Sequence, residues 1–232
     1  MRAIRFVVGM ALAPVCWAVT GAVLELAWHL HPAPDALPGA GALAPMTGFV
    51  LWLLLYGTLP RPVRTYILAH ELTHALWAAV MGANVVGFNV GRNGGSVTLS
   101  RSNVLITLAP YFFPLYTVLL ILLYYTLSIF FAVERYSLLW LGLVGFSWGF
   151  HFTFTVAALL QRQTDVHHYG RLFSYTLIYG LNVLGIGLWL VIVSPATLEQ
   201  LIALLAGHHA RLAAGLRAAA AGALAGWREI TA

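Results

Sequence analysis

Six stretches of this chain are each apolar enough, and nearly all long enough, to fill the width of a lipid bilayer, and that pattern restricts the fold more than any other feature. They cover residues 4–30, 43–59, 63–81, 104–131, 138–160 and 172–193. A membrane-crossing helix needs about 20 mostly apolar residues. The second stretch is short, which suits a tilted or half-inserted helix. The composition agrees: 61% of the residues are hydrophobic and 8% are charged, against roughly 45–50% and 25% in soluble globular domains. A soluble fold of this size must turn much of its surface to water and could not hide so much apolar area; a lipid solvent removes the conflict. The expected class is an all-α polytopic membrane protein of about six transmembrane helices.

All twelve basic residues are arginine, and the formal net charge is +5. The excess does not indicate a nucleic-acid partner. The arginines are scattered at the ends of apolar runs instead of clustering on one polar face, as interfacial anchors are. Arg2, Arg5, Arg61, Arg64, Arg135 and the tail arginines share one side of the six-helix scheme, which puts both termini in the cytoplasm. Arg92, Arg101, Arg162 and Arg171 fall on the other side. The expected location is a bacterial inner (plasma) membrane. The opening segment looks like a signal peptide, but a cleaved signal has an apolar core of only about 7–15 residues. Here the run continues to about Leu30, broken by Glu25, so a retained helix is expected. Cys16 is the single cysteine, which rules out an internal disulfide and a cysteine-built zinc site.

Three segments follow: 1–60 with the first helices, a membrane core over 61–194, and an Ala-rich tail over 195–232. Residues 31–41 read as a loop, rich in Pro, Ala and Gly. Pro110 and Pro114 predict a kink or break near the start of the fourth stretch. Residues 82–101 differ from their surroundings. Glycines punctuate β-prone pieces at 85–86, 88–90 and 96–99, which predicts a small membrane-associated β-hairpin turning near Arg92-Asn93-Gly94-Gly95. Such a strand edge cannot face lipid. The tail, with His208, His209, Arg211 and Arg217, reads as an interfacial or soluble helix.

The third stretch carries Ala69-His70-Glu71-Leu72-Thr73-His74, an HExxH pattern. Residues four apart stack on one helix face. Both imidazoles can therefore reach one Zn²⁺ at about 2.0–2.1 Å. Glu71, beside that face, is placed to take a proton from the attacking water. With nine His in the chain, the pattern arises by chance on the order of once in a hundred such chains. Ionisable groups inside an apolar span are costly and mark functional sites.

On these residues the chain resembles the site-2 protease family of intramembrane metalloproteases. The likeness spans roughly 63–193. It rests on His70, Glu71 and His74 in an early membrane helix, the Gly-rich β element at 87–99, the Pro-containing opening Leu108-Ala109-Pro110-Tyr111, and a late acidic residue. It implies cleavage of substrate helices within the membrane, with two His and a distant Asp as zinc ligands. Asp165 is the acidic residue between two late spans, in Gln163-Thr164-Asp165-Val166-His167-His168. The family's Asn-Pro-x-x-Asp-Gly signature is absent around it, and His167 and His168 stand as alternative ligands. Ligation by Asp165 also sets a geometric condition: either the 161–170 segment folds back inward or the fifth helix ends early.

His151 in the fifth span is a candidate to support the site or line an aqueous path, or a hydrogen-bonded core histidine. Asn182 in the sixth is a candidate oxyanion donor or an interhelical hydrogen-bonding group. The strand edge at Gly94, Gly95, Ser96 and Val97 is a candidate cradle for an unwound substrate by β-augmentation. The function expected is intramembrane zinc metalloproteolysis, with a membrane-protein substrate, the bilayer and room for a regulatory membrane partner. A catalytically silent zinc-binding scaffold is the alternative; a haem-binding redox protein and a transporter are weaker ones. Retention of Glu71, which is not a ligand, favours the enzyme.

Overall fold

The computed structural model describes residues 2–30, 39–91 and 94–231. Most of the expected 31–41 loop, and Arg92-Asn93 of the expected turn, lie outside the described residues. Among those described, helices α1 (Arg2–His29), α2 (Ala40–Thr58) and α3 (Val63–Val80) precede strands β1 (Val85–Val90) and β2 (Gly95–Leu99). Six further helices follow: α4 (Val104–Phe112), α5 (Leu115–Phe130), α6 (Ser137–Leu159), α7 (Thr164–Tyr169), α8 (Arg171–Val193) and α9 (Leu198–Thr231).

Among the described residues, four helices are long and apolar enough to cross a membrane: α1, α2, α6 with its leading 3-10 turn, and α8. Helices α4 and α5, bent by 75° at their break, add a fifth if they count as one span. That break falls at Phe113-Pro114, where two prolines made the sequence unable to continue a straight helix. Helix α3 stands outside this set because Arg64, His70, Glu71 and His74 interrupt its apolar character. On length and apolarity alone, the six expected spans thus reduce to four or five.

The chain forms two compact units, Met1–Pro34 with Gly170–Ala232, and Asp35–Tyr169. In the first, α1 packs with α8 and α9. Val23, Leu26, Ala196 and Leu201 form its buried core. Glu25, the charge that interrupts α1, meets α9: its Oε2 lies 2.8 Å from His208 Nε2 and 3.3 Å from Arg211. The His208 ring sits on Gly21, where a Cβ would be 2.5 Å from it.

In the second unit, α2 packs along α6 through glycines. A Cβ on Gly145 would overlap the Pro45 carbonyl, and one on Gly48 the Gly142 carbonyl, so the two backbones touch. Trp52 fills the next level, ringed by Phe146, Phe150 and Phe154 with centroids 5.1–6.4 Å away. Its indole donates to Thr153 Oγ1 at 2.9 Å, so the buried N–H is satisfied. Truncating such a buried Trp costs about 3–5 kcal/mol. Phe154 in turn stacks on Tyr66 of α3 at 4.8 Å and 9°, which ties α3 to the α2–α6 pair.

Helix α3 stops at Met81-Gly82, where Gly82 takes φ 69°, a conformation that suits glycine. The Arg101 guanidinium donates to the Met81 and Gly82 carbonyls, 2.8 Å each, and closes the end of the helix. The hairpin between them is antiparallel, pairing Phe88 with Val97 and Asn89 with Ser96, with a bulge between Val85 and Gly87.

Candidate metal centre

His70 and His74 lie one turn apart on α3, as HExxH spacing on a helix requires, with ring centroids 4.9 Å apart. The third member arrives from α7. Helix α6 runs to Leu159, so it does not end early. The 160–170 connection folds back instead, and α7 carries Asp165 to the histidines. Asp165 Oδ2 lies 3.6 Å from His70 Nε2 and 3.6 Å from His74 Nε2. Among the described residues these three form the group able to hold a metal ion, their ligand atoms all within 4.8 Å of one another.

The donor set fits zinc. Two ligands at about 2.0–2.1 Å from a tetrahedral ion stand about 3.3 Å apart, close to the observed separations. Two imidazoles and one carboxylate fill three of the four positions of a tetrahedral ion.

Each ligand has a partner behind it. His74 Nδ1 donates to the Ile106 carbonyl at 2.8 Å, since a carbonyl can only accept. That places the proton on Nδ1 and leaves Nε2 bare towards Asp165. His70 Nδ1 meets Tyr66 Oη at 3.3 Å. Tyr111 Oη donates to Asp165 Oδ2 at 3.1 Å. Burial raises the Asp165 carboxyl, but the facing His70 and His74, when protonated, outweigh it and hold the group well below the usual carboxylate range.

Glu71 is buried, as is His74. The first residue of β2 covers it: a Cβ on Gly95 would stand 2.6 Å from Glu71 Cγ. The hairpin therefore adjoins the metal centre on the side of the carboxylate. Gly94 sits at the turn, its carbonyl accepting from Gly91 N at 2.8 Å, while Ser96 and Val97 continue β2 in register with β1.

The other candidates separate. His151 lines a cavity of about 20 Å³ with Tyr66, His70, Thr73, Tyr116 and Ser147, room for one water. His167 and His168 share α7 with Asp165 but do not join the ligand group; the His168 ring packs on Tyr169 at 4.7 Å. Asn182 belongs to the other compact unit, where its amide donates to Ile178 O at 2.8 Å along α8. Tyr66, Tyr111 and the Ile106 carbonyl were not anticipated from sequence. Tyr66 was within reach of a helical reading, four residues before His70 and so on its face. No spacing rule links Tyr111 to Asp165. Comparison with protein-family models, curated proteins and solved structures finds no match.

Proposed function

We propose that this protein is a zinc metalloendopeptidase of site-2 protease type that hydrolyses peptide bonds of membrane-embedded substrates. One observation carries the reading. The two histidines of a helical HExxH and a carboxylate from a distant short helix converge at 3.6 Å, with Glu71 beside them. His70 Nε2, His74 Nε2 and the Asp165 carboxylate would hold the ion. When bound, zinc in such a set polarises a carbonyl and brings the pKa of water to about 7. Glu71 takes the proton of the attacking water and returns it to the departing amine nitrogen. The peptide bond is thus replaced by a carboxylate and an amine.

Several finer features belong to the same reading. Helix α3 is the sixth membrane element: Leu68, Leu72 and Leu76 form its exposed face, while Glu71 and His74 lie on the buried one, where ionisable groups are tolerated. Both termini face the cytoplasm of a bacterial inner membrane, by the arginine distribution. An unwound substrate segment adds to the hairpin edge at Gly94, Gly95, Ser96 and Val97; the contact between Gly95 and Glu71 supports this, because a strand there would pass the carboxylate.

The test is Glu71→Gln in cells, with new N-termini in the membrane fraction profiled against wild type. The expected outcome is equal zinc content and loss of a defined set of cleaved membrane proteins. If no N-terminus depends on Glu71 while zinc is bound, the enzyme reading fails and the silent scaffold replaces it.

A further inference from the structure

We propose that the Pro110-Tyr111 pair of α4 is the positioning device of the metal centre, setting two of the three ligands by two unlike means. The inference rests on the zinc-site part of the reading above and adds residues that HExxH chemistry does not name.

Pro110 works by what it lacks. In an α-helix the carbonyl of residue i accepts from the N–H of residue i+4. The helical partner of the Ile106 carbonyl would be the N–H of residue 110, and proline has none. Ile106 is 1% exposed, so water does not readily replace that donor. The His74 Nδ1–H fills the gap at 2.8 Å. The Asn103 side chain, accepting from Ile106 N at 3.0 Å, fixes the turn that presents the carbonyl. A helix interior with an N–H at 110 would compete for the same oxygen. His74 would then be freer to rotate, or to take the tautomer with the proton on Nε2, which cannot bind a metal through that atom.

Tyr111 works by what it offers. It is fully buried and stands one residue further round α4. Its hydroxyl donates to Asp165 Oδ2 at 3.1 Å, the oxygen both histidines face. Its ring stands edge-on to His70 at 5.3 Å. Asp165 needs such a holder, because α7 is six residues long, too short to be stable by itself. Val166, 2% exposed, anchors the apolar side of the same turn. Outer hydrogen bonds of this kind are worth about 10–100-fold in metal affinity.

The experiment measures zinc affinity of the full-length protein in detergent by chelator competition, with Co²⁺ absorption reporting the ligand field. Wild type is read first. Failure to bind one zinc overturns the metal site itself, and this inference with it. Given binding, Tyr111→Phe should weaken zinc by about 10–100-fold, and by less than about twofold in an Asp165→Ala background, where its partner is gone. Pro110→Ala should weaken zinc by about fivefold, the equivalent of one net hydrogen bond, with no effect in a His74→Ala background. Its thermal midpoint should stay level or rise, because the helix regains a bond. A purely structural role would move affinity and stability together. Unchanged affinity in either single variant, or equal losses in the two backgrounds, overturns the proposal. If Tyr111→Phe does not fold, 3-fluorotyrosine at 111 keeps the ring and alters the donor; an unchanged zinc affinity there is equally fatal.

Discussion

Replacing Gly95 with Ala puts a methyl group where Glu71 already is. The added Cβ would stand 2.6 Å from Glu71 Cγ, 2.8 Å from Ile67 Cγ2 and 3.0 Å from Glu71 Oε1. Carbon atoms in good contact are about 3.5–4.0 Å apart, so the Glu71 side chain must retreat by about 1 Å. Ile67, buried on the same helix, gives it little room. Overpacking of this kind costs about 1–3 kcal/mol of stability, which most folds survive. Catalysis is less forgiving, since a misplacement of about 1 Å can cost 10²-fold, or about 2.7 kcal/mol of transition-state stabilisation. None of the three atoms nearest that Cβ belongs to His70, His74 or Asp165. Zinc affinity should therefore hold within about twofold while cleavage falls about 100-fold. The assay pairs chelator competition with turnover of a substrate identified by N-terminal profiling. Gly57→Ala in α2 is the control, since a Cβ there meets nothing within 4 Å and the residue lies outside the hairpin. Wild-type turnover in Gly95→Ala would refute the placement of Glu71 as the proton carrier beneath β2.

Further outcomes follow from the same geometry. His74→Ala and Asp165→Ala should each leave the purified protein short of one zinc by metal analysis, with a weakened affinity still readable by chelator competition, whereas His167→Ala and His168→Ala should retain full occupancy, because neither joins the ligand group. Gly145→Val drives a side chain into the Pro45 backbone and should lower stability by more than about 3 kcal/mol, read as loss of monodisperse protein in detergent. Gly21→Val should expel the His208 ring and weaken the Glu25 latch, raising the rate of limited proteolysis in α9 while zinc content stays constant.

The sequence made much of the architecture legible through local rules. Apolar runs marked the long helices, paired prolines marked the break between α4 and α5, and glycine punctuation marked the hairpin. HExxH on a helix was enough to place two imidazoles one turn apart. It was not enough to rank α3 among the spans, because its ionisable groups offset its apolar residues and the balance depends on what surrounds it.

Long-range meetings were a different matter. Asp165 follows His74 by a whole run of helices, and only the packing of α7 back to the α3–α4 region decides that it, and not His167 or His168, faces the pair. The Tyr111 hydroxyl on Asp165 and the Ile106 carbonyl on His74 are likewise products of tertiary contact. Residue type and period act over a few positions along the chain and determine the helices and the paired histidines of this protein. The remaining ligand and its supports were decided by the folded structure, because they depend on which surfaces of separate helices touch.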